Sequence, residues 1–289
     1  MRELLLTTVS GMLVTAFVCD ISVSRADEPA SITGGKRPME GSMDAFLRAP
    51  VFDMTVVFDG DSQVREPYLA IALDGTLLAV RNNKGQLRRS EDGGESWGDI
   101  INVPIRHSDS NMIVDEHTGE VMSLRIWNGT DRRFRSTDHG ETWTEETITL
   151  KPNTTMKRFA ETGQMKRVSR EESAAIGTYY LHANASESGV TLRHGQHRGR
   201  LLMTATFRPH SPAHPSDRSS ANAIFSCALF SDDRGATWQV SDFFPEGFTE
   251  EAALVELHDG RIYYNTRSHS GYFDKKFARE PVSYTHLRA

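Results

Sequence analysis

"SEDGGESWGD", residues 90–99, gathers a serine, acids, two adjacent glycines and a tryptophan into ten positions. Leu87, Arg88 and Arg89 lead into it with strand-like alternation. Asp92-Gly93-Gly94 is a turn signal. Ser90 and Asp92 carry short polar side chains that can hydrogen-bond nearby backbone N–H groups and hold the turn shut. Gly94 suits a positive φ, where a Cβ would clash. Trp97 is large enough to anchor the turn in a core. The stretch predicts a hairpin locked by its own side chains, with its tryptophan buried.

The stretch returns as "STDHGETW", residues 136–143, and as "SDDRGATW", residues 231–238. All three copies fit Ser-x-Asp-x-Gly-x-x-Trp, and an internal repeat of this kind governs how the rest of the chain is read. The pattern resembles the Asp-box of sialidases and related β-propellers. The resemblance implies an all-β chain: a β-propeller of the six-bladed sialidase type, of which about three and a half blades are present. It also implies that the box is a structural device at the turn between the two outer strands of a blade, away from any active site.

A second marker recurs, an apolar strand, a glycine turn and another apolar strand. "PYLAIALDGTLLAV" turns at Gly75, "NMIVDEHTGEVMSL" at Gly119, "VTLRHGQHRGRLLMTA" at Gly199 and "AALVELHDGRIYYN" at Gly260. These read as the inner strand pairs of four blades, each blade being four-stranded. The gap between the second and third boxes is about twice the first, yet it holds a single inner pair, at Gly199. The excess falls into two insertions, residues 151–187 and 208–222, both on the face opposite the boxes. Elaborated loops on one face are where function concentrates; the alternative for 151–187, rich in Lys, Arg, Glu and Thr, is a solvated loop.

The chain has 289 residues and a formal net charge of −6, which argues against a nucleic-acid partner bound through a basic face. Residues 1–26 read as a signal peptide: Arg2, the apolar "LLLTTVSGMLVTAFV" and "SRA" before Asp27. The apolar run is short for a membrane span, so the reading is a secreted or periplasmic protein without stable membrane insertion. Cys19 falls in the signal, leaving Cys227 alone in residues 27–289 and no intrachain disulfide there. Asn128, Asn153 and Asn184 open glycosylation triplets that are common by chance. No metal-ligand spacing appears, and no cofactor is expected. Residues 27–50 read as a lead and 51–281 as the partial propeller; 282–289, "VSYTHLRA", break the repeat and read as a non-native tail, on which reading the chain would be a fragment.

A sialidase-like site grips a carboxylate with arginines, whose planar, permanently charged fork lysine does not reproduce. It pairs a tyrosine nucleophile with a glutamate, an exception to the two-carboxylate scheme, and uses an aspartate as acid/base. "VREPYLAIALDGTLLAV" resembles the family's first-arginine segment and places a clamp arginine at Arg65. "TEEAALVELHDGRIYYNTR" resembles the family's Asn-Glu segment and downstream Asn-x-Arg; it places the tyrosine-activating glutamate at Glu251 and a second clamp arginine at Arg267. Glu250 stands where asparagine is common. Arg65 lies ten residues before Gly75 and Glu251 nine before Gly260, so both start inner strands on the loop-rich face. Spacing alone leaves each arginine open as a surface residue. The family's acid/base loop is reduced here to "RNNKG", without an acid; Asp109, ten residues before Gly119, is the substitute by position, with a solvated loop aspartate as the alternative. The tyrosine and third arginine are expected in later blades, because Tyr263, Tyr264 and Tyr272 lie in no matching segment.

The leading reading is a retaining exo-α-sialidase-like glycoside hydrolase acting on the terminal acidic sugar of a glycan, monomeric when full length. A propeller glycosidase for another sugar and a non-catalytic carbohydrate- or protein-binding propeller remain alternatives. Glu251 separates the enzyme from the binder, since a binding surface has no need of a glutamate beside a tyrosine.

Overall fold

The computed structural model describes residues 7–9, 12–14, 56–58, 67–81, 84–105, 111–126, 131–168, 177–183, 187–210, 224–245, 247, 249–268 and 282–284. The chain divides into two compact units, residues 1–33 and 34–289. In the first, β1 (Thr7–Val9) and β2 (Met12–Val14) pair antiparallel. The rest of the segment read as an export signal, and the whole 27–50 lead, lie outside the described residues.

Among its described residues the second unit is all-β apart from one nine-residue helix. Its first sheet is the antiparallel meander β3 (Tyr68–Ile71), β4 (Leu77–Arg81), β5 (Gln86–Ser90) and β6 (Ile101–Asn102). Its second repeats that order with β7 (Ile113–Val114), β8 (Val121–Arg125), β9 (Arg132–Ser136) and β10 (Thr144–Thr147). These are the four-stranded units the repeats predict, with the glycine turns between the first two strands and the boxes between the last two.

The third sheet departs from that expectation. β11 (Thr149–Lys151), α1 (Thr154–Thr162), β12 (Lys166–Arg167) and β13 (Thr178–His182) precede β14 (Val190–Thr191), β15 (Leu201–His210), β16 (Phe225–Ser231) and β17 (Thr237–Val240). The sheet order is β11-β17-β16-β15-β13-β12, with β14 also on β15. Ten-residue β15 is long enough to hold β14 at one end and β13 at the other. The insertion at 151–187 is therefore not merely a solvated loop. It supplies β12 and β13 to the inner edge and a helix capped by Asn153, whose side chain accepts from the Met156 N–H, while β11, which ends where the insertion begins, pairs at the outer edge. Met156 is buried, and the Phe159 ring lies 6.0 Å from that of Tyr179. The fourth sheet is β18 (Thr249–Glu256), β19 (Ile262–Ser268) and β20 (Val282–Tyr284), so three residues of the segment read as a tail pair with β19.

Successive sheets are joined by apolar cores. Leu78, Leu87, Met112 and Phe134 pack between the first and second; Met122, Leu124, Met203 and Trp238 between the second and third; Leu202, Ala228, Leu254 and Tyr264 between the third and fourth. The inner strands run side by side in the order β3, β7, β14, β18. Hydrogen bonds tie neighbouring sheets here: Ser188 Oγ donates to Leu69 O (3.1 Å), the Gly189 N–H to Met112 O (3.0 Å) and Thr204 Oγ1, on β15, to Ala252 O (3.2 Å).

Each box closes as its residues dictate. Ser90, Ser136 and Ser231 accept from the N–H of Gly94, Gly140 and Gly235, at 2.8 Å in all three, and donate to Asp92, Asp138 and Asp233. Gly140 (φ +90°) shows why glycine is needed twice over: the backbone is left-handed, and a Cβ would lie 2.8 Å from Leu78 Cδ2 of the preceding sheet. Arginines of one sheet hold the box of the next, Arg89 Nε to His139 O (3.0 Å) and Arg133 Nη1 to Arg234 O (2.8 Å). The second and third boxes are thus sheet-to-sheet fasteners. The tryptophans correct the sequence expectation in part. Trp238 is fully buried because β11 pairs alongside β17, with Leu150 opposite it; among the described residues no strand is added beside Trp97 or Trp143, and both are half-buried.

The box aspartates make stability depend on acid. Partial burial pulls the Asp138 and Asp233 carboxyls up, but hydrogen bonds from Thr142 and Ser136, and from Thr237 and Ser231, outweigh it and hold both below the ordinary aspartate value. A carboxyl depressed in the folded state stabilises the fold at any pH above its unfolded value, about 3.9, and that contribution is lost as pH falls through the folded value. Thermal unfolding followed from pH 7 to pH 2 should show the midpoint falling below about pH 4. Asp138→Asn with Asp233→Asn should lower the pH 7 midpoint and flatten the fall.

Candidate active site

The site grows from an irregularity at the head of β18. Ala252 and Leu254 face the core with the period of two expected of a strand, but Thr249 and Glu250 are both buried. The period breaks at a bulge: Glu250 pairs with Arg267 and Ala253 with Asn265, so Glu251 and Ala252 together oppose Thr266. Glu251 takes φ +49°, an uncommon conformation for a residue with a Cβ. Thr266 Oγ1 holds the bulge by donating to Glu250 O at 3.0 Å, and lies 2.8 Å from Ser226 Oγ. Strained backbone of this sort, fixed by buried hydroxyls, is common at functional sites.

The bulge lets two consecutive glutamates meet the same arginine. Arg267 Nη2 donates to Glu250 Oε1 at 2.8 Å, and Nη1 lies 2.6 Å from Glu251 Oε2. Arg208, near the end of β15, pairs through Nη2 with the other oxygen of Glu250. Glu250 is the buried centre of this group, with a side chain 7% exposed, whereas those of Arg208, Glu251 and Arg267 are 28%, 34% and 45% exposed. A buried carboxylate is tolerable only when paired, and Glu250 has a guanidinium on each oxygen. The two arginines and two glutamates balance, so the group is neutral while offering two partly exposed guanidiniums.

Neighbouring groups have other duties. Tyr264 is buried and its hydroxyl donates to Cys227 O at 2.8 Å; burial raises the phenol well above its ordinary value, so it is a core residue rather than a nucleophile. Burial likewise pushes the Cys227 thiol up. At the head of β14, Glu187 is exposed to solvent on one side, and partial desolvation holds its carboxyl above the ordinary glutamate range.

Of the residues expected from sequence, Glu251 and Arg267 are brought into contact. Arg65 and Asp109 lie outside the described residues. Sequence reasoning did not find Arg208. The available signal was Glu250 itself: an acid where the resembling family commonly has asparagine calls for a cation nearby.

Residues 134–145 match the BNR/Asp-box repeat family model. The chain is 27% identical over 303 residues to a sialidase of Micromonospora viridifaciens, across 90% of this chain and 40% of that protein. The chain thus spans about 40% of the length of that curated relative. Among solved structures it is similar to the intramolecular trans-sialidase of Ruminococcus gnavus, with TM-score 0.48 and 16% identity over 76% of this chain and 68% of that one. It is also similar to the leech intramolecular trans-sialidase, with TM-score 0.47 and 12% identity over 78% and 52%. The resemblance to Asp-box sialidases drawn from the repeats is borne out.

Proposed function

We propose that the protein is an exported glycoside hydrolase of the exo-α-sialidase type, built on the six-bladed ring and retaining in stereochemistry, which releases a terminal acidic sugar from a glycan. The observation that carries this reading is the meeting of Glu251 and Arg267 at the head of β18. Arg267, with Arg65, grips the sugar carboxylate. Glu251 takes the proton of a tyrosine nucleophile, whose oxygen then bonds to the anomeric carbon as the glycosidic bond breaks. Asp109 donates the proton that the departing glycosidic oxygen takes up, and later removes one from the attacking water. A phenol suits an anionic sugar, because a carboxylate nucleophile would face the substrate's own charge.

A panel of fluorogenic glycosides tests the reading: an α-sialoside, a uronide and neutral hexosides of the same leaving group. Release from the sialoside, with the product's first-formed anomer seen by proton NMR to keep the α configuration, is the expected result. Hydrolysis confined to neutral sugars would overturn the acidic-sugar assignment, and an inverted first product would overturn the tyrosine mechanism.

A further inference from the structure

We propose that Arg208 is a further guanidinium of the carboxylate-binding subsite, and that Glu250 positions it beside Arg267. The inference rests on the acidic-sugar reading above and adds a residue to it. Two observations carry it. Glu250 holds Arg208 on one oxygen and Arg267 on the other, so two guanidiniums are fixed against a single buried carboxylate. Both remain partly open to solvent.

The physical logic is that of a shared anchor. Two like charges side by side repel, and each long side chain loses rotamer freedom when it is ordered. Glu250 offsets both costs before substrate arrives. Its buried oxygens orient the forks, and the solvent side of the pair is left for a second carboxylate to bridge. Asparagine at position 250 could accept a hydrogen bond but could not neutralise two cations. Glu250 and Arg208 thus act as a linked pair, one positioning and the other touching substrate.

A purely structural role, in which Arg208 only neutralises Glu250, makes a different prediction. The test compares wild type, Arg208→Met, Arg208→Lys and the double variant Arg208→Met with Glu250→Asn. Each is assayed for KM and kcat on an acidic glycoside and on its carboxyl methyl ester, for the dissociation constant of the free acidic sugar by calorimetry, and for its thermal midpoint. In the double variant no uncompensated charge is left, so folding should be retained. Its KM for the acidic glycoside and its dissociation constant for the free acid should still rise about tenfold or more, the worth of a charge-assisted hydrogen bond. The methyl ester should be unaffected, and Arg208→Lys should fall between. Wild-type affinity for the acid in the double variant would overturn the proposal and leave Arg208 a structural counter-ion. A wild-type protein that neither binds nor cleaves acidic sugars would overturn the functional reading and this inference with it; that failure appears before any variant is made, so the two are distinguishable.

Discussion

Glu251→Gln is expected to lower kcat on an acidic glycoside by about 10²- to 10⁴-fold, the range a positioned general base supplies, with KM changed only a few-fold. The amide keeps the size of the carboxylate, and its oxygen can still accept from Arg267 Nη1, now 2.6 Å from Glu251 Oε2. Glutamine tolerates φ +49° no better and no worse than glutamate, so the bulge is not relaxed by the exchange. Glu250, which carries the buried charge, is untouched, and the fold should hold. What is lost is the ability to take a proton from a phenol. The measurement is the kcat against KM split, with the thermal midpoint as control. More than a tenth of wild-type kcat would remove Glu251 from the role of base. The same exchange would leave the affinity of a mere binding propeller nearly unchanged, so it also separates enzyme from binder.

The sequence made the repeats legible because they are local. Ser136, Asp138 and Gly140 close their turn within five residues, and nothing distant is needed to infer it. The start of β18 was legible in the same way, from its offset to Gly260. What lay beyond reach depends on contacts between sheets. Trp97, Trp143 and Trp238 are identical in motif, and only the pairing of β11 along β17 decides which is fully buried. Helix α1 has just Met156 and Phe159 as large apolar residues in nine positions, too few to show a face, although its Asn153 cap and Gly163 stop were present. Arg208 sits on β15, some forty residues before Glu250, and no spacing rule links them. Their meeting is a product of sheet packing, which brings β15 against β18.

Arg267→Lys should cost about 10²-fold in kcat/KM on an acidic glycoside, and almost nothing on the matching neutral ester. Arg267 spans two carboxylates with two different nitrogens, Nη2 on Glu250 and Nη1 on Glu251. A lysine carries one ammonium on a flexible stem and can satisfy one of them well. Glu250 is the more buried and lies directly across the strand pair, so the ammonium should settle there. Glu251 would then lose its partner, and the substrate carboxylate would lose a bidentate fork while keeping a point charge nearby. Stability should fall little, because Arg208 still pairs with Glu250. The salt dependence of KM reads the difference: a point charge is screened along with the rest of the surface, so the lysine variant should weaken more steeply between low and high ionic strength than wild type. A variant with wild-type kcat/KM would show that charge alone suffices at this position and that the two-nitrogen contact seen in the structure does not orient substrate. A variant equally impaired on acidic and neutral glycosides would place Arg267 in holding Glu251 rather than in gripping the sugar carboxylate.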